Sequence, residues 1–157
     1  METVLSGIRP TGNLHLGNYF GALRNFIKMQ EEYNCYFFIA DLHSLTTHPT
    51  PTDLHGNVKQ ILVEYLAAGL DPEKATLYVQ SDVLEVVELY MYLNMNAYLG
   101  ELERCTSFKE KIRKQPNNVN AGLLTIDFTT VSMYDSSLIG VNLPFLNSFV
   151  RSVFFTT

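Results

Sequence analysis

Three short apolar segments alternate with longer amphipathic segments in the first half of the chain. The apolar segments are Val4–Ile8, Cys35–Ala40 and Ala75–Val79. The middle segment is apolar at every position, which is typical of a strand covered on both faces, as in a parallel sheet. The residues between these segments place apolar side chains at helical spacing. This order predicts an α/β fold with a doubly wound parallel sheet and right-handed crossovers.

Turn and capping residues bound the first two predicted helices. We expect the first helix to begin near Gly17 and to end at Asn34. The second should begin after Thr50, a good N-cap, and end at Gly69, because glycine readily adopts the left-handed conformation that terminates helices. The second helix carries a stripe of apolar side chains at helical spacing, which comprises Leu54, Val58, Ile61, Leu62, Tyr65 and Leu66.

Positive charge is concentrated in one segment of an acidic chain. Eleven Lys+Arg stand against sixteen Asp+Glu, for a net charge of −5. This balance argues against a general nucleic-acid coat protein, which needs clustered cations. Helices are expected at about 83–98 and 101–114, and the second contains five of the cations: Arg104, Lys109, Lys111, Arg113 and Lys114. By itself this cluster is interpreted as a solvated helix face with ion pairs, and ligand binding is the alternative.

Cysteine and histidine are too sparse to predict a disulfide framework or a metal site. We interpret Cys35 and Cys105 as two ordinary thiols in a reducing cytoplasm. Asp41 and His43 are close in sequence, but a metal site needs a third ligand. No metal site is therefore predicted. His48 and His55 receive no assigned role.

The apolar runs of the chain are short, which bears on its location. They fall well below the ~20 residues that span a bilayer. The N-terminus begins Met1–Val4 and has neither the basic nor the apolar region of a signal peptide. We therefore expect a cytoplasmic protein without a membrane partner.

The loop after the first predicted strand has the composition of a phosphate-binding loop. Ligands of open α/β sheets bind beyond the carboxyl ends of the strands, and residues 6–19 occupy the first such end. Gly7, Gly12 and Gly17 permit close backbone approach, and the helix start offers N–H groups to phosphate. The glycines match neither the P-loop nor the dinucleotide-binding pattern. By composition alone, a structural Gly/Pro turn is the alternative.

The order of residues in this loop resembles the first signature of the class I aminoacyl-tRNA synthetases. His-Leu-Gly-Asn at His15–Asn18 stands where that class has His-Ile-Gly-His. Within the class, the chain is most similar to the tryptophan-specific synthetases, through Tyr33–Phe37, Gly100–Lys111 and Ala121–Thr125. The tyrosine-specific synthetases share part of the first motif but lack the Gly100–Lys111 match. The resemblance covers residues 1–125.

The resemblance implies a Rossmann-like domain that activates tryptophan with ATP and attaches it to tRNA. The implied ATP contacts are Arg9, Pro10, Thr11, Gly12, His15, Gly17, Asn18, Tyr19 and Lys111. Of these, His15, Asn18 and Lys111 are the implied catalytic residues, because they would stabilise charge on the phosphates. The implied amino-acid pocket is lined by Leu5, Gly7 and His43, although His43 is equally well interpreted as a hydrogen-bonded residue at a strand end. Mg²⁺ would be bound with ATP, without an assigned protein ligand, and the family is homodimeric.

The similarity stops after Thr125. The family continues Tyr-Pro-x-Leu-Met-Ala-Ala-Asp, whereas this chain reads Ile126–Met133, so Met133 replaces the aspartate that accepts the indole N–H. The second signature of the class, Lys-Met-Ser-Lys-Ser, is absent from the 157 residues. We therefore expect a truncated nucleotide-binding domain at 1–125, the N-terminal half of a synthetase catalytic domain, and a divergent tail at 126–157.

This divergence bears on the origin of the tail and on the function of the chain. For the tail, the hypothesis is a frameshift or a gene-model artefact. The expected function is tryptophan activation by family, with weak or no full activity in this chain. A non-catalytic nucleotide-binding or regulatory fragment and a tyrosine-specific relative are the alternatives.

Overall fold

The structure is a computed structural model that describes residues 2–47, 50–114, 116–117 and 119–126. The chain divides between Val83 and Leu84 into two compact units. His48, Met133 and the rest of the predicted tail from residue 127 onward lie outside the described residues.

The first unit contains a three-stranded parallel sheet in the order β1-β2-β3. Its elements, in chain order, are β1 (Thr3–Ile8), α1 (Leu16–Asn18), a π-helical turn (Tyr19–Leu23), α2 (Arg24–Met29), β2 (Asn34–Ile39), α3 (Asp41–Ser44), a 3₁₀ turn (Leu45–Thr47), α4 (Pro51–Ala68), β3 (Ala75–Val79) and a second 3₁₀ turn (Gln80–Asp82). The alternation of parallel strands and helices confirms the α/β, Rossmann-like fold class.

Helices α2 and α4 pack on one face of this sheet. Phe37 of β2, Phe26 of α2 and Tyr65 of α4 belong to the same buried cluster. The rings of Phe26 and Phe37 stack with centroids 4.2 Å apart, and Phe26 meets Tyr65 edge-on at 6.3 Å. Right-handed crossovers that advance from β1 to β3 place both helices on the same side. Burial raises the pKa of Tyr65, as expected for a hydroxyl in an apolar core.

The ends of α4 match the prediction. The backbone N–H of Asp53 donates to Thr50 Oγ1 at 3.2 Å, and Pro51 is the first helical residue. Gly69 caps the C-terminus with φ 109°, in the left-handed region. The sequence signals that start and stop this helix are therefore confirmed.

The apolar stripe of α4 is buried at some positions and exposed at others. Ile61 and Tyr65 are fully buried, whereas Leu62 and Leu66 remain 39% and 44% exposed. Ile61 and Tyr65 belong to the buried core cluster, so the part of the stripe that carries them faces the sheet. Periodicity in the sequence identifies the helix, but how much of its apolar stripe is covered depends on the elements that pack against it.

The first helix is shorter than predicted, and its end is wrongly assigned to Asn34. The helical segment covers residues 16–29, and Asn34 is instead the first residue of β2, paired with Thr3. Gln30 explains the early end. Its side-chain amide donates to the Gly69 carbonyl oxygen at 3.0 Å, and its Oε1 accepts from the Asp71 N–H at 2.9 Å. These two bonds fix the chain where it turns towards β2.

The second unit is helical in its described part. It contains α5 (Leu84–Asn96), α6 (Leu99–Leu102), α7 (Thr106–Lys114) and a further helical segment at residues 121–126. The single helix predicted at 101–114 is wrong, because the chain leaves the helix after Leu102 and re-enters it at Thr106. The helix predicted at 83–98 is observed with slightly shorter bounds. The hydroxyls of Tyr90 and Thr125 lie 2.5 Å apart, which ties the last segment to α5.

No helix in the described part of the chain is long and apolar enough to cross a membrane.

A pair of glycine substitutions tests whether Gly69 caps the C-terminus of α4. Gly69→Ala is expected to lower the free energy of unfolding by about 1 kcal/mol, because alanine must adopt the left-handed conformation that Gly69 has at φ 109°. Gly56→Ala, in the exposed interior of the same helix with open space around its Cβ position, should raise it by about 0.5–1 kcal/mol. Urea denaturation of both variants measures the two changes. Equal effects of the same sign would contradict the assigned cap.

Candidate functional site

Buried polar side chains collect beyond the carboxyl ends of the strands. The buried polar residues in the described part of the chain are Gln30, His43, Ser44, Thr46 and Gln80. Four of these five lie in the short helical segments that follow β2 and β3. Because parallel strands end at the same edge of a sheet, these residues share that edge with the loop after β1. Burial of polar groups requires hydrogen-bond partners, so this edge is where the fold holds an ordered polar site.

The loop after β1 makes the turn that its sequence predicts. Pro10 is fully buried. The Thr11 N–H donates to the Arg9 carbonyl oxygen at 2.9 Å, and Gly12 follows with φ 107°. Open space surrounds the Cβ position of Gly12, so its requirement for glycine is conformational. Two of the predicted ATP-contacting residues, Thr11 and Tyr19, are solvent-exposed along this loop and the helix that it enters.

His15 and Asn18 form a reciprocal capping box at the start of α1. The Asn18 N–H donates to His15 Nδ1 at 3.3 Å, and the His15 N–H donates to Asn18 Oδ1 at 3.2 Å. Since Nδ1 accepts a hydrogen bond, the neutral imidazole carries its proton on Nε2. His15 is exposed, so this assigned Nε2–H is a donor that an anionic oxygen can reach.

Gly17 leaves the room that the His15 ring occupies. A Cβ atom at residue 17 would lie 2.9 Å from His15 Cε1 and Nδ1. The sequence predicts that Gly17 lets a ligand pack closely against the backbone. The structure adds a local reason for glycine, because any side chain here would displace the imidazole from its capping position.

Leu5 and Gly7 lie on the face of the sheet opposite α2 and α4. In the strand register, Leu5 is level with Tyr36, and Gly7 is level with Phe38. The rings of Phe38 and Tyr78 have centroids 5.8 Å apart on this face. A Cβ atom at residue 7 would come within 2.5 Å of the Phe38 carbonyl oxygen. This second face therefore has an aromatic surface, and Gly7 is the position where it has no side chain.

His43 is held by a partner that sequence reasoning left without a role. Its Nδ1 lies 2.9 Å from Gln80 Oε1, and both side chains are buried. An amide oxygen only accepts, so with this amide orientation the neutral ring carries its proton on Nδ1. Thr46 Oγ1 donates to the His43 carbonyl oxygen at 2.8 Å. The interpretation of His43 as a hydrogen-bonded strand-end residue thus describes its observed environment, and its role in an amino-acid pocket stays a prediction.

Asp41 connects the segments that follow β2 and β3. Its Oδ1 accepts from the N–H groups of Leu42 at 2.9 Å and Ser81 at 3.1 Å. The signal that could have found Gln80 and Ser81 is their position, since both are polar and follow a strand end directly. Among the residues that the structure describes, no three His, Cys, Asp or Glu side chains are grouped so that they could hold a metal ion.

Lys111 lies on α7, within the second unit. It is half-buried, and Arg113 and Lys114 follow it in the last turn of the helix. Positive charges near the C-terminus of a helix interact favourably with the helix dipole. The assignment of Lys111 to ATP binding stays a prediction.

Comparisons with known proteins give a consistent result. The model of the family of class I tRNA synthetases (W and Y) matches residues 1–143. The chain is 79% identical over 125 residues to a tryptophan–tRNA ligase of Porphyromonas gingivalis, which covers 80% of the chain and 38% of that protein. It is 44% identical over 143 residues to the tryptophan–tRNA ligase of Clostridium tetani, covering 89% of the chain and 42% of that protein.

Solved structures agree with this result. The tryptophanyl-tRNA synthetase of Mycoplasma pneumoniae superimposes with a TM-score of 0.77 at 39% identity, covering 85% of this chain and 40% of that one. The enzyme of Campylobacter jejuni complexed with ADP and tryptophan gives a TM-score of 0.75 at 35% identity, covering 84% and 41%. The chain thus spans about two fifths of the length of these relatives.

Proposed function

The chain belongs to the class I tRNA synthetases (W and Y), and from that membership we propose that it acts in the ATP-dependent activation of tryptophan and its attachment to tRNA. The observation that carries this proposal is the capping box of His15 and Asn18 at the carboxyl edge of a parallel sheet. Ligands of such sheets bind at that edge, so an Nε2–H donor and a helix N-terminus there support ATP as the ligand.

The proposed chemistry is an in-line attack of the tryptophan carboxylate on the α-phosphorus of ATP, with pyrophosphate as the leaving group. The chain contributes positioning and charge stabilisation. His15 donates from Nε2, and Asn18 supports that ring through its own backbone N–H. Thr11 and Tyr19 are exposed in the same loop and helical segment. Lys111, which belongs to the second unit, is assigned to ATP by the family resemblance alone. Mg²⁺ would be held by the ATP phosphates, without a protein ligand.

Tryptophan is proposed to bind on the sheet face that carries Leu5 and Gly7. Phe38 and Tyr78 offer aromatic surface there, which suits an indole ring. His43, which follows β2, is hydrogen-bonded to Gln80 at the end of β3. The names of the relatives support tryptophan as the amino acid.

Tryptophan-dependent ATP–pyrophosphate exchange tests this proposal. We expect weak exchange that requires tryptophan, with tyrosine as the matched control giving the background rate. Exchange that prefers tyrosine would favour the tyrosine-specific alternative. Background exchange with both amino acids, together with retained ATP binding, would favour a nucleotide-binding fragment without catalysis.

Membership in the family also supports tRNA as the acceptor, a cytoplasmic location and a homodimer. Helix α5 supplies an exposed apolar surface suited to a second copy of the chain. This surface consists of Leu84, Val87, Met91 and Met95, whose side chains are 48–74% exposed. Sedimentation velocity checks the assembly, and a monomer at micromolar concentration would contradict it.

A further inference from the structure

A carboxylate of α4 binds the backbone of the loop that follows β1. Glu64 Oε2 accepts a hydrogen bond from the Leu14 N–H at 2.9 Å, across 50 residues of sequence. Leu14 directly precedes His15, the first residue of the capping box. A hydrogen bond that a carboxylate accepts from a backbone N–H is stronger than one between neutral groups. Glu64 therefore acts on the chain one residue before the proposed phosphate donor.

The carboxylate of Glu64 is itself fixed at both oxygens. Gln60, one turn earlier on α4, donates from Nε2 to Glu64 Oε1 at 2.8 Å. Next to Glu64 in sequence, Tyr65 is fully buried in the core cluster. The helix and the side-chain hydrogen bond together set the direction of Oε2, so few rotamers of Glu64 satisfy both contacts.

The loop needs such an anchor because its tip has few restraints of its own. Gly12 has φ 107° and open space around its Cβ position, and Thr11 and Asn13 are exposed. The Leu14 side chain packs against the core cluster, which places the residue, and the bond to Glu64 orients its peptide group. This peptide group joins Asn13 to Leu14 and is followed directly by the peptide that joins Leu14 to His15, so the bond restrains the chain where it enters the capping box.

We propose that Glu64 is a positioning residue for the nucleotide loop: it holds the Leu14 N–H and thereby sets the capping box that presents His15 Nε2. The consequence for ATP rests on the proposed function, whereas the consequence for the loop itself does not. Glu64→Gln retains an acceptor oxygen for the Leu14 N–H, and Gln60 can reorient its amide so that its oxygen accepts from the new side-chain NH₂ group. Glu64→Leu removes the acceptor from a half-buried site.

Two measurements on the full chain test this role. Amide-resolved hydrogen exchange by NMR, without nucleotide, should show at least about fivefold faster exchange at Leu14 in Glu64→Leu and little change in Glu64→Gln. Calorimetric titration with MgATP should show about tenfold weaker binding in Glu64→Leu and a change within about threefold in Glu64→Gln. Glu32→Leu, which removes an exposed carboxylate elsewhere in the first unit, is the matched control and should leave both values unchanged.

Circular dichroism would show whether the variants are folded. If Glu64→Leu does not fold, Gln60→Ala is the milder substitution, because it removes only the donor to Glu64 Oε1. Unchanged Leu14 exchange in Glu64→Leu would overturn the proposal. Equal loss of ATP affinity in Glu64→Gln and Glu64→Leu would also overturn it, because charge rather than position would then act. If the unmodified chain binds no ATP but Leu14 exchange responds as stated, the positioning role holds and the proposed function fails.

Discussion

Replacing Gly7 with alanine is expected to lower the free energy of unfolding by about 3 kcal/mol. The new Cβ atom would lie 2.5 Å from the Phe38 carbonyl oxygen and 2.7 Å from two atoms of its ring. A ring can rotate, but a carbonyl oxygen within a paired strand cannot move without disturbing the β1–β2 ladder. Alanine normally gains about 0.5–1 kcal/mol over glycine in a strand, which is too little to offset this clash.

Denaturant unfolding of Gly7→Ala beside Gly21→Ala measures this effect. Gly21 has nothing within 4 Å of its Cβ position, so the same change there should leave stability equal or slightly higher. Binding of tryptophan should also weaken in Gly7→Ala, since the aromatic face beside Phe38 would be displaced. A Gly7→Ala variant as stable as Gly21→Ala would show that the strands are not this close.

Replacing His15 with alanine is expected to weaken MgATP binding by about 10- to 100-fold. Two contributions are lost. The Asn18 N–H loses its Nδ1 acceptor, and the proposed phosphate contact loses the Nε2–H donor. Loss of an N-cap by itself costs about 1 kcal/mol of helix stability.

His15→Asn separates these contributions, because asparagine is a good N-cap without an imidazole donor. It should restore the unfolding midpoint but not the ATP affinity. His55→Ala, at an exposed position of α4, is the control and should change neither quantity. ATP affinity that His15→Asn restores fully would assign His15 a capping role alone.

The sequence predicted the elements best where local chemistry sets them. Thr50 and Gly69 carry their own capping signals, and the strand at Ala75–Val79 has the predicted bounds. The end of the first helix escaped prediction because it depends on Gln30 bonding Gly69 and Asp71, about 40 residues away. A bond between residues so distant in sequence leaves no periodic pattern to detect.

The candidate site divides in the same way. Motif order located His15 and Asn18, but their mutual capping became visible only with the φ and ψ angles of the helix start. The position of Gln80 directly after a strand marks it as a candidate site residue, but its partner His43 is 37 positions away and cannot be read from the sequence. Glu64 carries no sequence signal, because it acts on a residue 50 positions away. The roles of Lys111, Leu5 and Gly7 in ligand binding stay predictions.

The proposed function requires that the loop after β1 binds ATP through His15 and its capping partner. An MgATP titration of the full chain, followed residue by residue in ¹H–¹⁵N NMR spectra, measures this binding. We expect saturable binding, with the largest chemical-shift changes at residues 9–19 and weaker binding in His15→Ala. Saturable binding with shifts only elsewhere, or no binding at millimolar MgATP, would contradict it.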